Sequence, residues 1–408
     1  MKNRYLTLIL SLILFLPSLI FAQQEMQVGD TTYYKTLIPS VKQGLLKNMS
    51  MIANMRFAFQ NEFSDLNSNS GMKYTGSRFV NQQFRLEFKG QVTDRVYFRF
   101  RDRYTRAQTS ESVDNLSRSV DLAFIRVKVS NKWDISAGKM CADWGAYEFD
   151  YNPIDIYEYS DIIEMADNFL TGVGVSYTAN VRNQFTFQLL DSRTKTFDEL
   201  YGVQPNQEES KMPLAFVGNW RGSMYDGKFN TIWSYAYHNE AHNTSTDKPT
   251  GMNYIALGNQ LKMGKLTAEY DFKWSQEDLD RTGIVSATIP DNLYPYAVEK
   301  TVYVGHWLHL YYRVNPKVNL ALVTMLDVAN WKDNLDQNYP GFDEHIRNAW
   351  GFIPTVEYYP FKDVNLRFFA NYVGRSYVYS KYAKDRMGAL DYSTGRFQIG
   401  FISPLAFF

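Results

Sequence analysis

Phe84-Arg85-Leu86-Glu87-Phe88-Lys89, a turn at Thr93-Asp94, then Val96-Tyr97-Phe98-Arg99-Phe100-Arg101: this stretch carries the pattern that governs the chain. Phe84, Leu86 and Phe88 fall on one side of an extended backbone, and Arg85, Glu87 and Lys89 on the other. Successive side chains of a strand point to opposite faces, so the alternation reads as one apolar and one charged face. Leu266-Thr267-Ala268-Glu269-Tyr270-Asp271-Phe272-Lys273-Trp274 repeats it. A soluble sandwich alternates in the same way, with its apolar face in a shared core. A membrane barrel turns that face to lipid. The connections between the strands separate the two.

Period-two runs fall near 51–62, 78–91, 95–107, 119–130, 133–142, 170–180, 184–193, 213–223, 228–239, 252–263, 265–275, 301–314, 317–329, 346–360, 364–376 and 394–405. Short turns join some of them, as at Asn131-Lys132, Tyr225-Asp226-Gly227, Gly264, Asn315-Pro316 and Phe361-Lys362-Asp363. Long polar stretches join the others, near 63–77, 108–118, 143–169, 194–212, 240–251, 276–300, 330–345 and 377–393. Short and long alternate without a break, and a soluble sandwich has no reason to sort its connections by parity. An outer-membrane barrel does, with tight turns on the periplasmic side and long loops outside. The fold class expected is therefore all-β: a transmembrane antiparallel β-barrel of about 16 strands. An open edge in lipid would leave backbone groups unpaired at several kcal/mol each, so the sheet must close. Sixteen strands enclose a lumen wide enough for water.

Composition agrees with this reading. Tyr (30) and Phe (28) are abundant among 408 residues, yet beyond the N-terminus no apolar run approaches the roughly 18 residues of a membrane helix. Residues 1–22 read as a signal peptide, with Lys2 and Arg4 before an apolar run and Ala22 at the cleavage position. Residues 23–48 fit no strand and read as a periplasmic segment, leaving 49–408 for the barrel. Formal net charge is zero, which gives no sign of a nucleic-acid partner. Cys141 stands alone and cannot form an intrachain disulfide.

If the apolar sets face lipid, Arg56, Arg85, Lys89, Arg99, Arg101, Arg103, Arg126 and Lys128 point inward from the first four strands. Charge on the lipid face would cost roughly 2–4 kcal/mol per residue at mid-depth, which enforces that assignment. The third long stretch, 143–169, is rich in acids and aromatics and holds no Lys or Arg. It is expected to fold inward as a constriction loop, with Glu148, Asp150, Asp155 and Glu158 facing the basic wall across a water-filled gap. Replacing Arg99, Arg101 and Arg103 together with Ala would then shift ion preference towards cations. Two alternatives stay open: arginines neutralised by Glu87 and other wall acids, and an acidic loop exposed outside.

Other chemistry is sparse. The five histidines show no metal spacing, and His306 and His309 alternate in facing. Ser234 and His238 share a strand face but stand roughly 13 Å apart, too far for a catalytic couple. No cofactor, metal or enzymatic activity is expected. The chain ends Phe407-Phe408, an aromatic close similar to the assembly signal of outer-membrane barrels.

Ala137-Gly138-Lys139, Trp144-Gly145 and Asn152-Pro153-Ile154-Asp155-Ile156-Tyr157-Glu158-Tyr159-Ser160 resemble porins of the phosphate-selective porin O and P group. The resemblance implies a sixteen-stranded barrel in a Gram-negative outer membrane, a trimer, passing anions or small hydrophilic solutes. Arg99, Arg101 and Arg103 are similar in kind to that group's arginine ladder, whereas the acidic loop departs from an anion-only funnel. The expected function is passive diffusion, with outer-membrane lipid and lipopolysaccharide as surroundings. The rivals are a scaffolding barrel of an envelope complex and a barrel hydrolase.

Overall fold

The computed structural model describes residues 49–65, 71–105, 112–290, 294–332 and 343–407. The expected signal peptide at 1–22 and the expected periplasmic segment at 23–48 lie outside them. The strands are β1 (Met49–Asp65), β2 (Lys73–Thr93), β3 (Val96–Arg103), β4 (Val120–Lys128), β5 (Trp133–Cys141), β6 (Phe169–Asn180), β7 (Asn183–Asp191), β8 (Gln207–Glu209), β9 (Leu214–Met224), β10 (Phe229–Asn243), β11 (Lys248–Met263), β12 (Leu266–Leu279), β13 (Glu299–Asn315), β14 (Val318–Trp331), β15 (His345–Tyr358), β16 (Arg367–Tyr379) and β17 (Tyr392–Ala406). Short helices α1 (Tyr147–Asp150), α2 (Asp161–Met165), α3 (Phe197–Tyr201) and α4 (Lys381–Met387) lie in the long connections.

Every pairing is antiparallel, and β1 closes the sheet by pairing with β17 from Ile52↔Ala406 to Asp65↔Ser393. The three-residue β8 pairs as a strand with the end of β10, while β7 pairs directly with β9. Sixteen strands therefore make the closed wall. Among the described residues no helix is long and apolar enough to cross a membrane; the strands do the crossing, each backbone group satisfied by its neighbours.

Faces follow the alternation. Phe100, Ile125, Ile135, Phe187, Trp350 and Phe352 are exposed on the outer wall, while Arg85, Glu87, Arg101, Glu269, Asp271 and Lys273 are buried on the inner one. Tight turns are built from residues that tolerate left-handed backbone, as at Tyr225, Asp226 and Gly227, all with positive φ. Gly138 serves a different need: a Cβ there would lie 2.3 Å from the Ala123 carbonyl oxygen, so only glycine lets β5 approach β4 at this point.

Three expected boundaries change. The long stretch at 240–251 is a tight connection, because β10 runs to Asn243 and β11 begins at Lys248; its polar residues continue the ladder above the membrane instead of looping. Similarly, β1 and β2 extend the first hairpin to Asp65 and from Lys73. The last turn is longer than expected, since β15 ends at Tyr358 and β16 starts at Arg367.

Candidate functional site

The connection between β5 and β6 enters the lumen, and its apolar load explains why. Trp144, Ile154, Ile156, Ile162 and Ile163 are all buried. Burying one such side chain is worth about 1.5–3 kcal/mol, so these five offset part of the entropy cost of ordering the segment, and polar contacts add to them. Trp144 meets Tyr254 edge-on with ring centroids 4.6 Å apart. Polar contacts fix the path. Ser234 Oγ donates to the Gly145 carbonyl at 3.1 Å, and the amides of Tyr147 and Glu148 donate to Asp271 at 3.1 and 2.8 Å. Asn152 Nδ2 donates to Asn54 Oδ1 of β1 at 3.1 Å.

The loop's acids are matched almost one for one, by cations from the strands it crosses. Glu148 pairs with Lys273 of β12, both fully buried. The same carboxylate accepts from Ser160 N at 2.6 Å and Ser160 Oγ at 2.7 Å. Asp150 meets Arg221 at 2.7 Å, Asp155 pairs with Arg367, and Glu158 meets Arg396 at 2.9 Å. Asp161 takes Arg347 and, at 2.6 Å, Arg375. Asp143 and Asp167 lie 3.7 and 4.0 Å from Arg221 and Arg281. Glu164 has no ion-pair partner within 4.0 Å among the described residues. The side chain keeps exposed surface, yet desolvation by the protein crowded around it holds its carboxyl above the usual range, and the nearby Glu158 and Glu148 add to this against Arg103 and Arg375.

The basic wall of the first four strands is organised differently from the expectation. Asp121, fully buried, gathers Arg103 at 3.1 Å and Arg85 and Arg101 at 3.4 Å each. A register shift between Arg101 and Asp102 turns it inward. Glu87 holds Arg99 at 3.1 Å, with Lys89 and Arg101 each 3.9 Å away. The ladder is thus balanced by its own wall, and the loop acids Glu148, Asp150, Asp155 and Glu158 do not face it across a gap. They contact β9, β12, β16 and β17 directly. The reason is distance: paired charges at contact in a buried site interact far more strongly than the same charges separated by water.

Arg56 is the member of the predicted wall that does engage the loop. Its guanidinium donates to the Ile154 carbonyl at 3.1 Å and to Ile156, and it lies 5.4 Å from the Tyr157 ring centre. Arg126 lies over Tyr97 and Phe124, 5.8 Å from each ring centre, and reaches Ser136 at 3.4 Å. Arg126 and Lys128 are exposed, and Lys89 and Arg99 keep 22% and 33% of their side-chain surface. These four sit towards the short-turn end of β2 to β4. Sequence reading missed Asp121, Arg221, Lys273, Arg347, Arg367, Arg375 and Arg396. Lys273 was legible as inward from the alternation of Leu266–Trp274, but its partner 125 positions away was not.

A closed sixteen-stranded wall, lipid-facing outside, with a charged loop in its lumen, defines an outer-membrane porin. Residues 53–402 match the family described as phosphate-selective porin O and P, and the chain belongs to that family. No curated protein matches it. Among solved structures it is similar to the outer membrane channel DcaP of Acinetobacter baumannii, with a TM-score of 0.57 at 12% identity, covering 86% of this chain and 96% of that one. It is also similar to an anion-selective porin from Comamonas acidovorans, with a TM-score of 0.52 at 10% identity, covering 88% and 99%. At these identities the likeness is one of fold; membership of the porin family locates the chain in a bacterial outer membrane as a passive channel.

Proposed function

We propose that this porin passes small hydrophilic solutes with a preference for anions, phosphate among them. One observation carries the reading: the loop's acids are taken up by cations of β9, β12, β16 and β17, whereas on the basic wall Lys89, Arg126, Lys128 and part of Arg99 keep exposed surface, with Glu87, Asp134 and Asp143 as their near acids. The free surface of that wall is therefore positive, and a pore selects by its residual charge imbalance and its width. The constriction lies between this wall and the inward loop. The family description and the anion-selective relative point the same way. Purified protein in a planar bilayer across a salt gradient should give a reversal potential of anion-preferring sign; a cation-preferring sign would overturn the proposal.

Glu164 gives a pH signature. Because its carboxyl sits above the usual range, it takes up a proton at a higher pH than an ordinary glutamate as pH falls, and anion preference should rise over that interval. Glu164→Gln should have the higher preference at neutral pH and flatten the rise. An unchanged pH profile in that variant would place Glu164 away from the ion path.

We further propose a homotrimer joined along β3 to β5. These strands have only 8, 9 and 9 residues and are consecutive; β7, also of nine, stands apart beyond the twelve-residue β6. Nine residues rising ~3.3 Å each at a tilt of ~40° reach roughly 23 Å, short of the ~25 Å apolar band a lipid-facing wall presents. Neighbouring protein covers such a wall better than lipid does; lipid and lipopolysaccharide meet the longer strands. No catalysis is assigned: the Ser234 hydroxyl is spent on holding the loop.

A further inference from the structure

The outer wall carries a cleft of about 600 Å³ across β12 to β17, within the roughly 300–1,000 Å³ range of small-ligand sites. Trp350 and Phe352 of β15 rise along its middle, with Tyr270, Leu308 and Thr324 on one flank and a floor of β16 and β17 on the other; Met72 closes the far side of that floor, over Gly395. The register makes the floor. Ser376 pairs with Ser393 and Gly374 with Gly395 on adjacent strands, all on the outward face. The two facing glycines let the Tyr372 ring lie down over them: a Cβ at Gly395 would come 2.5 Å from its hydroxyl oxygen, and one at Gly374 would come 2.9 Å from a ring carbon. A side chain at either position would prop the ring up and fill the cleft.

The polar groups here are turned to one another. Ser376 and Ser393 share a hydrogen bond at 3.0 Å, and Tyr270 and His306 share one at 2.8 Å. What the cleft offers an occupant is therefore an apolar surface. β13 to β16 have 17, 14, 14 and 13 residues, long enough to face a bilayer. Ser376 lies three positions inside the long-loop end of β16, Tyr379, which sets the floor of the cleft in the outer-leaflet half. We propose that this cleft binds one acyl chain of an outer-leaflet lipid. A chain on a flat wall touches protein on one side; here it is held on three, and each lost contact between packed atoms forfeits dispersion attraction.

The inference rests on reading this wall as lipid-facing, and the test separates the two. The full chain is refolded in detergent, and native mass spectrometry follows retention of lipid A, or of the same disaccharide stripped of its acyl chains, under rising activation. Wild type should retain one lipid A and none of the stripped headgroup. Ser376→Phe with Ser393→Leu, which fills the floor, should retain it about tenfold less, the effect of one or two side chains of apolar contact. Conductance in planar bilayers should be unchanged. Should the pair not refold, Thr324→Trp fills the cleft from the other side and should act alike. Equal retention in the filled variants, retention of the bare headgroup, or a disulfide between two barrels carrying Ser376→Cys would each overturn the proposal. Wild type that fails to insert and conduct would instead overturn the membrane reading itself.

Discussion

Lys273→Met is expected to release the third loop from the barrel wall while the wall itself stays closed. The substitution leaves the Glu148 carboxylate fully buried, with only the amide and hydroxyl of Ser160 to bond. Breaking a buried ion pair from one side costs about 3–5 kcal/mol, because the remaining charge has no counterpart. That figure applies here since both partners are fully buried. The partly exposed bridge from Glu158 to Arg396 would be worth roughly 0–1 kcal/mol. Protease should then cut between residues 143 and 168 in folded variant protein, and single-channel current should become larger and noisier. Adding Glu148→Gln removes both charges and keeps an acceptor for the Ser160 amide, so the double variant should recover a quiet, protected loop. A single variant as protected and as quiet as wild type would show that the pair does not hold the loop.

The second large effect is expected from Lys89→Glu, Arg126→Glu and Lys128→Glu together, which should move the reversal potential through zero to cation preference. An ion about 7 Å from one of these charges in water feels roughly 0.6 kcal/mol, and reversing three changes the charge by six units. The permeability ratio should move by about tenfold or more at 0.01 M salt. At 1 M, where the screening length is only ~3 Å, the shift should shrink. Replacing Arg99, Arg101 and Arg103 with Ala is the poorer experiment. Arg101 and Arg103 meet Asp121, and Arg99 and Arg101 meet Glu87, so that variant leaves Asp121 with Arg85 alone and Glu87 with Lys89 alone, and it disturbs the wall as well as its selectivity. An unmoved reversal potential in the Glu variants would take these three residues out of the ion path.

The fold was almost wholly legible because it is written in local terms. Phe84 to Lys89 and Leu266 to Trp274 each declare their two faces within a few residues, and turns such as Tyr225-Asp226-Gly227 announce themselves by residue type. The misreadings fell where polar strand and polar loop look alike, as at 240–251, where β10 and β11 continue above the lipid. The site was legible only by side. Arg85, Arg101 and Lys273 were readable as inward, and the loop's aromatic content pointed to packing against something.

Which charge meets which was decided by tertiary structure alone. Alternation is a property of neighbouring residues, so a closed wall, its two faces and the inward cations follow from the order of residues along the chain. Ion pairs such as Glu148 with Lys273, or Asp161 with Arg375, join residues more than a hundred positions apart. They depend on barrel curvature, on the bulge that turns Asp121 inward and on the path the loop takes across the lumen. Coulomb energy falls with separation, and separation across a lumen is fixed by the closed fold.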